Sequence, residues 1–158
     1  MKSLNIPLSG DDFKFIQQLM YDSSGVYIED GRFDFVHLRL AEIVRLRQLK
    51  DFKEYCKILT ESREHVQEMV DALTTNLTHF FRESHHFKFL KEVIFSELKE
   101  NNKVRIWSSA CSTGEEAYSI AMEALSYFSL QAGKSIQVLA SDIDSKSLQK
   151  SRARNLSN

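Results

Sequence analysis

Backbone breakers are scarce. The 158 residues hold one proline, Pro7, and five glycines, which argues against a turn-rich chain and for a helix-rich one. Cysteine is also scarce: Cys56 and Cys111 stand far apart in unlike contexts. A disulfide framework is therefore not expected, and the pair reads as free thiols in a reducing cytosol. Charge of one sign is missing too. Net charge is −1 with no block of like charge, so the basic face of a protein gripping nucleic-acid phosphates is absent. No apolar run approaches membrane-spanning length, and the N-terminus lacks a signal-peptide core, so a cytoplasmic protein with no direct membrane insertion is expected. His85 and His86 are adjacent and on a helix cannot aim at one point. No other cysteine or histidine grouping has ligand spacing, so no metal site is expected. Internal repeats and low-complexity segments are lacking as well.

What is present is a globular composition, 42% hydrophobic and 27% charged. The first half carries helical periodicity. Ser9 and Asp12 form an acidic capping box, and the helix after them buries Phe13, Ile16, Leu19 and Met20 before Gly25 stops it. Val26 to Ile28 is a short extended piece. A second helix is expected from about Asp34 to Leu49 on Val36, Leu40, Ile43, Val44 and Leu46. Arg32 and Arg39 share one of its faces, either as solvated surface or as a grip on an acidic helical partner. Asp51 caps a third helix through Phe52, Tyr55, Ile58 and Leu59. A fourth runs from Arg63 to Leu73 on Val66, Met69, Val70 and Leu73. Four short amphipathic helices make a small all-helical domain.

Periodicity fails over Thr74 to Glu83, TTNLTHFFRE. This segment is either a linker whose Phe80 and Phe81 plug a seam, or a loop presenting Asn76, Thr78 and Arg82 to a ligand. Ser84 then caps a fifth helix expected to bury Phe87, Phe89, Leu90, Val93, Ile94 and Leu98.

The chemistry concentrates in KVRIWSSACSTGEEAYS, residues 103–119. Val104, Ile106 and Trp107 make a strand, Ser108 to Gly114 a small-residue turn, and Glu115 opens a helix on Ala117, Ile120, Ala121, Ala124 and Leu125. After a turn at Gln131 to Lys134, a second strand on Ile136, Val138, Leu139 and Ala140 ends in Ser141-Asp-Ile-Asp144, and a last helix starts near Ser145. Such a βαβ unit makes the two strands parallel, with ligands met at their carboxyl ends. Acids at the start of the first helix would repel a phosphate and suit hydroxyls or a positive charge, or they simply complement the helix dipole. Asp142, at the end of the second strand, stands where a ribose diol is usually held, while Asp144 suits a helix cap.

NLTHFFRE at 76–83, WSSACSTGEEAYSIAM at 107–122 and ASDID at 140–144, in this order, resemble the chemotaxis receptor methyltransferases, the CheR family. The resemblance covers nearly the whole chain. It implies an all-helical receptor-interaction domain at 1–74 and a partial class I, Rossmann-like α/β methyltransferase domain at 75–158 with two parallel strands. It implies S-adenosyl-L-methionine as cofactor, S-adenosyl-L-homocysteine as product, and methyl transfer to glutamate side chains on the cytoplasmic helices of membrane chemoreceptors. Carried over by motif, Asn76, Thr78 and Arg82 line the cofactor's amino-acid end, Glu115 or its neighbour Glu116 lies in the loop after the first strand, and Asp142 holds the ribose. Arg82 also steadies a carboxylate as the one catalytic candidate.

Ala117 stands where the family often has proline, and Gly114 is the only loop glycine. The family's later strands, and its asparagine- and tyrosine-containing segment, are not in this sequence. The chain is therefore expected to be incomplete for turnover, and its bare strand edges to invite dimerisation or strand exchange. A non-catalytic receptor- or cofactor-binding module is the competing expectation. An RNA methyltransferase is disfavoured by the lack of basic surface.

Overall fold

The computed structural model describes residues 6–128 and 134–153, which divide into two compact units at Thr75 and Asn76. The first unit holds α1 (Gly10–Ser24), a 3₁₀ turn (Asp30–Arg32), α2 (Phe33–Leu46), α3 (Phe52–Glu61) and α4 (Arg63–Leu73). Its boundaries follow from local chemistry. Ser9 Oγ accepts the Asp12 N–H at 3.1 Å while the Asp12 carboxylate returns to the Ser9 N–H, satisfying two donors that the helix itself leaves open. Gly25 closes α1 at φ 74°, a conformation costly to any residue with a Cβ. Asp51 Oδ1 accepts the Glu54 N–H at 2.9 Å, and Ser62 Oγ the Glu64 N–H at 3.2 Å.

The apolar stripes of these helices meet in one core in which Ile16, Met20, Val36, Leu40, Val44, Phe52, Tyr55 and Met69 are fully buried. The segment after Gly25 crosses this core with Ile28 inward, its carbonyl accepting from the Gln17 side chain. The second helix ends at Leu46, short of the expected Leu49, and Leu46 is exposed. The Tyr55 hydroxyl is buried with no hydrogen-bond partner among the described residues. Burial raises its pKa, with Glu68 adding and Arg47 opposing.

An irregular segment, residues 74–83, runs across this division, and the second unit continues with α5 (Ser84–Phe89), a π-helical turn (Leu90–Ile94) and α6 (Phe95–Glu97). Then come β1 (Lys103–Ser108), α7 (Glu115–Phe128), β2 (Ser135–Ala140) and α8 (Ser145–Ala153). The expected Ser84 cap is not formed. Glu83 occupies that position at φ 57° without a capping bond, and Ser84 is the first helical residue. The π turn changes which residues face inward, because it adds a residue to one turn. Phe95, which regular spacing leaves off the stripe, is fully buried against Phe128 and Tyr127, while Phe89 is exposed.

β1 and β2 pair in parallel, Lys103 with Ser135 through Ser108 with Ala140. Alternation sends Val104, Ile106 and Ile136 into the core with Ala124 and Phe128 of α7. It sends Trp107 and Leu139, which are register partners, to the opposite face, where they are 65% and 63% exposed. The expected end of α7 at Leu130 and all but Lys134 of the expected turn at Gln131 to Lys134 lie outside the described residues.

Candidate functional site

The site is built from three connecting segments of the second unit: 76–83, 109–114 and 141–144. The two loops that leave the strands stay joined beyond the sheet. The Ser141 N–H donates to the Ser108 carbonyl and the Cys111 N–H to the Ser141 carbonyl, each at 3.0 Å. Small residues let the first loop turn this tightly. Ser112 has φ 49° and Gly114 φ 98°. A Cβ on Gly114 would lie 2.3 Å from Ser151 Oγ, so the residue lets the loop press against α8.

The paired acids after this loop have different surroundings. Glu115 is 7% exposed and accepts from Thr113 Oγ1 at 2.6 Å, whereas Glu116 is exposed and accepts from the buried Ser108 hydroxyl at 2.6 Å. Asp142 is half-buried at the end of β2. Its Oδ2 accepts the Ser112 N–H at 2.6 Å and its Oδ1 the Asp144 N–H at 2.8 Å. Each carboxylate oxygen has two lone pairs, so these bonds leave acceptor capacity for a ligand. Asp144 is 2% exposed and caps α8, as expected of it, with Oδ1 accepting the Ser147 N–H at 2.6 Å.

Asn76 joins this group. Its Nδ2 donates to Asp144 Oδ2 at 2.6 Å and its carbonyl accepts from Ser112 Oγ at 3.0 Å. Hydrogen bonds thus bring Asn76 and Asp142 together with the loop that leads into Glu115. Thr78 is half-buried in the same segment. Arg82 is exposed, and its Nη1 donates to the Leu77 carbonyl at 2.9 Å, bracing the loop from which both come. Phe81 and Glu83, on either side of Arg82, have φ 54° and 57°, unusual for residues with side chains. The fully buried Ser119 holds this bend: its hydroxyl accepts the Phe81 N–H at 3.0 Å and donates to the Glu115 carbonyl at 2.6 Å.

Ser112, Ser119 and the second role of Asp144 were not anticipated from sequence. For Ser119 a signal existed, a hydroxyl within an otherwise apolar helix stripe. Cys111 is buried, and burial pushes its thiol pKa up with Asp142 adding, which disfavours the thiolate. Among the described residues no group of three or more His, Cys, Asp or Glu side chains could hold a metal ion, and no helix is long and apolar enough to cross a membrane.

A family model described as CheR methyltransferase, SAM binding domain, matches residues 76–158, and one described as CheR methyltransferase, all-alpha domain, matches residues 11–74. The chain belongs to the CheR methyltransferase family. The chemotaxis protein methyltransferase of Escherichia coli K12 is 40% identical over 151 residues, covering 94% of this chain and 51% of that relative. Its counterpart in Klebsiella aerogenes is 42% identical over 151 residues, covering 94% and 50%. That of Borreliella burgdorferi is 33% identical over 159 residues, covering 95% and 56%. The chain spans about half the length of the curated relatives it matches.

The groups present fit the cofactor of a CheR domain. The three segments and the start of α7 gather the carboxylates of Glu115, Glu116, Asp142 and Asp144 and the amide of Asn76, with bonds from amide, hydroxyl and backbone N–H donors. Such an acceptor-rich set repels phosphate and suits a ribose diol and the ammonium and sulfonium charges of S-adenosylmethionine.

Proposed function

We propose that this chain carries the cofactor-binding loops and receptor-facing helices of an S-adenosylmethionine-dependent protein-glutamate O-methyltransferase of chemotaxis. Its substrate is the set of glutamate side chains on the cytoplasmic helices of membrane chemoreceptors, which places it in the cytoplasm. The observation that carries the reading is the junction of the two strand-end loops through the Asp142 carboxylate and the Ser112 N–H.

In this reading Asp142 accepts from the ribose hydroxyls, and Glu115, Asn76 and Thr78 line the rest of the cofactor. S-adenosylmethionine, when bound, supplies an electrophilic methyl group on a sulfonium. A glutamate side chain, with a pKa of about 4.3, is already ionised near neutral pH, so the protein needs no general base. Its work is alignment and exclusion of water. Arg82 spends one N–H on the Leu77 carbonyl and keeps others for a carboxylate, either that of the cofactor's amino-acid end or that of the substrate. In the helical unit, the Arg32 and Arg39 guanidinium groups lie 5.8 and 5.4 Å from the centre of the Phe35 ring. That arrangement sets two cations on one face toward an acidic receptor helix.

Titration calorimetry with S-adenosylhomocysteine tests the cofactor half of the proposal. Micromolar binding is expected, and absence of heat at millimolar ligand refutes it. Binding without turnover is the second reading.

A further inference from the structure

We propose that Asp144 is a positioning residue that fixes the orientation of the Asn76 amide, beyond its part in starting α8. The inference rests on the reading of Asn76 as a cofactor contact.

A carboxylate can only accept, so the atom of Asn76 that meets Asp144 Oδ2 at 2.6 Å is the nitrogen. That contact decides which way round the amide sits. Its carbonyl oxygen is thereby committed as the acceptor offered elsewhere, which selects a ligand donor such as an ammonium or a hydroxyl. Asp144 is suited to this task because its other oxygen is held by the Ser147 N–H at 2.6 Å and the side chain is 2% exposed. A charge-assisted bond shielded from water is stronger than a neutral one at the surface.

The bond also closes a ring. Asn76 is linked to Asp144 through its side chain, and Asp144 to Asp142 through the backbone N–H at 2.8 Å. Asp142 is linked to Ser112 at 2.6 Å, and Ser112 back to the Asn76 carbonyl at 3.0 Å. Asn76 is therefore held at its backbone and at its side chain by the two loops that leave the strands. Removing Asp144 Oδ2 frees the side-chain end and leaves the other three links standing.

The test separates capping from positioning. Asp144→Ser keeps a good N-cap for the Ser147 N–H but has one short hydroxyl and cannot reach both partners. Calorimetry with S-adenosylhomocysteine is run on the full chain, Asn76→Ala, Asp144→Ser and the double variant. Each single variant is expected to weaken binding about tenfold, the scale of one charge-assisted bond, and the double variant no more than Asn76→Ala alone. The Asn76 side-chain NH₂ resonances in ligand-free protein should shift and exchange faster in Asp144→Ser, while the Ser147 backbone amide stays protected.

If Asn76→Ala weakens binding and Asp144→Ser does not, the positioning role is overturned and the cofactor reading stands. If Asn76→Ala binds like the parent chain, or the parent chain does not bind, the cofactor reading fails, and the role of Asp144 stands or falls on the amide resonances. Unchanged Asn76 resonances in Asp144→Ser overturn it.

Discussion

Replacing Gly114 by alanine should cost far more stability than replacing Gly25, although both glycines have positive φ. At Gly25 φ is 74° and an added Cβ meets nothing within 4 Å, so only the backbone penalty applies, about 1–2 kcal/mol. At Gly114 φ is 98°, and the Cβ would stand 2.3 Å from Ser151 Oγ, 3.1 Å from Ser151 Cβ and 3.1 Å from Tyr118 Cε2. Moving the buried Ser151 hydroxyl aside costs it its present rotamer, and the two carbon contacts remain. Overpacking of that kind adds about 1–3 kcal/mol, for a total of about 2–5 kcal/mol. The chain's one tryptophan, Trp107, lies in β1, so its fluorescence in a urea titration reports the unit that contains Gly114. Circular dichroism follows the helical unit for Gly25→Ala. Ser151→Ala placed beneath Gly114→Ala should restore part of the loss, because it removes the 2.3 Å contact. A Gly114→Ala variant no less stable than Gly25→Ala, or one indifferent to residue 151, would refute the packing argument.

Three further outcomes are expected. Burial raises the Cys56 thiol pKa to about 12, with Asp12 and Asp51 adding. Between the ordinary thiol range and that value the unfolded chain has released a proton that the folded chain keeps, so stability falls as pH rises from about 9 toward 12. Cys56→Ala should flatten that slope in urea titrations, leaving the part due to Tyr55, whose raised pKa acts in the same direction at higher pH. Tyr55→Phe should be neutral or stabilising by up to about 1 kcal/mol, since it removes a buried hydroxyl without a partner among the described residues; a loss above 2 kcal/mol by thermal melting would contradict this. Asp142→Asn and Glu115→Gln should each weaken S-adenosylhomocysteine binding about tenfold by calorimetry, and the exposed Glu116→Gln less; the reverse order would move the binding acid to Glu116.

The features readable from sequence are those governed by local rules. Ser9, Gly25 and Asp51 act on backbone groups within four residues, so the ends they set are local facts. The βαβ order and the strand-end place of Asp142 follow from chain order and the handedness of such units. Where the reading failed, tertiary context intervened. Glu83 rather than Ser84 precedes α5 because the chain bends through two positive-φ residues, with Phe81 held by a distant hydroxyl on α7. Phe95 was missed because a π turn shifts the phase that periodicity assumes constant. Trp107, Leu139 and Leu125 read as apolar strand or helix residues, yet they stand exposed, because pattern tells which residues share a face and not whether that face is covered. The candidate site was readable only as a list of acids and an amide. The bonds among Asn76, Ser112, Asp142 and Asp144 were not, since nothing local to any one of them specifies the others.

Asn76 and Asp144 are 68 residues apart in the chain. At ordinary translation speeds of about 5–20 residues per second, the ribosome adds the second some 3–14 seconds after the first. The all-helical unit is complete as sequence before Asn76 is even made, so it can fold early in synthesis. The ring of bonds among Asn76, Ser112, Asp142 and Asp144 is instead a late product of assembly, and a nascent chain caught midway would display folded helices with that ring still open.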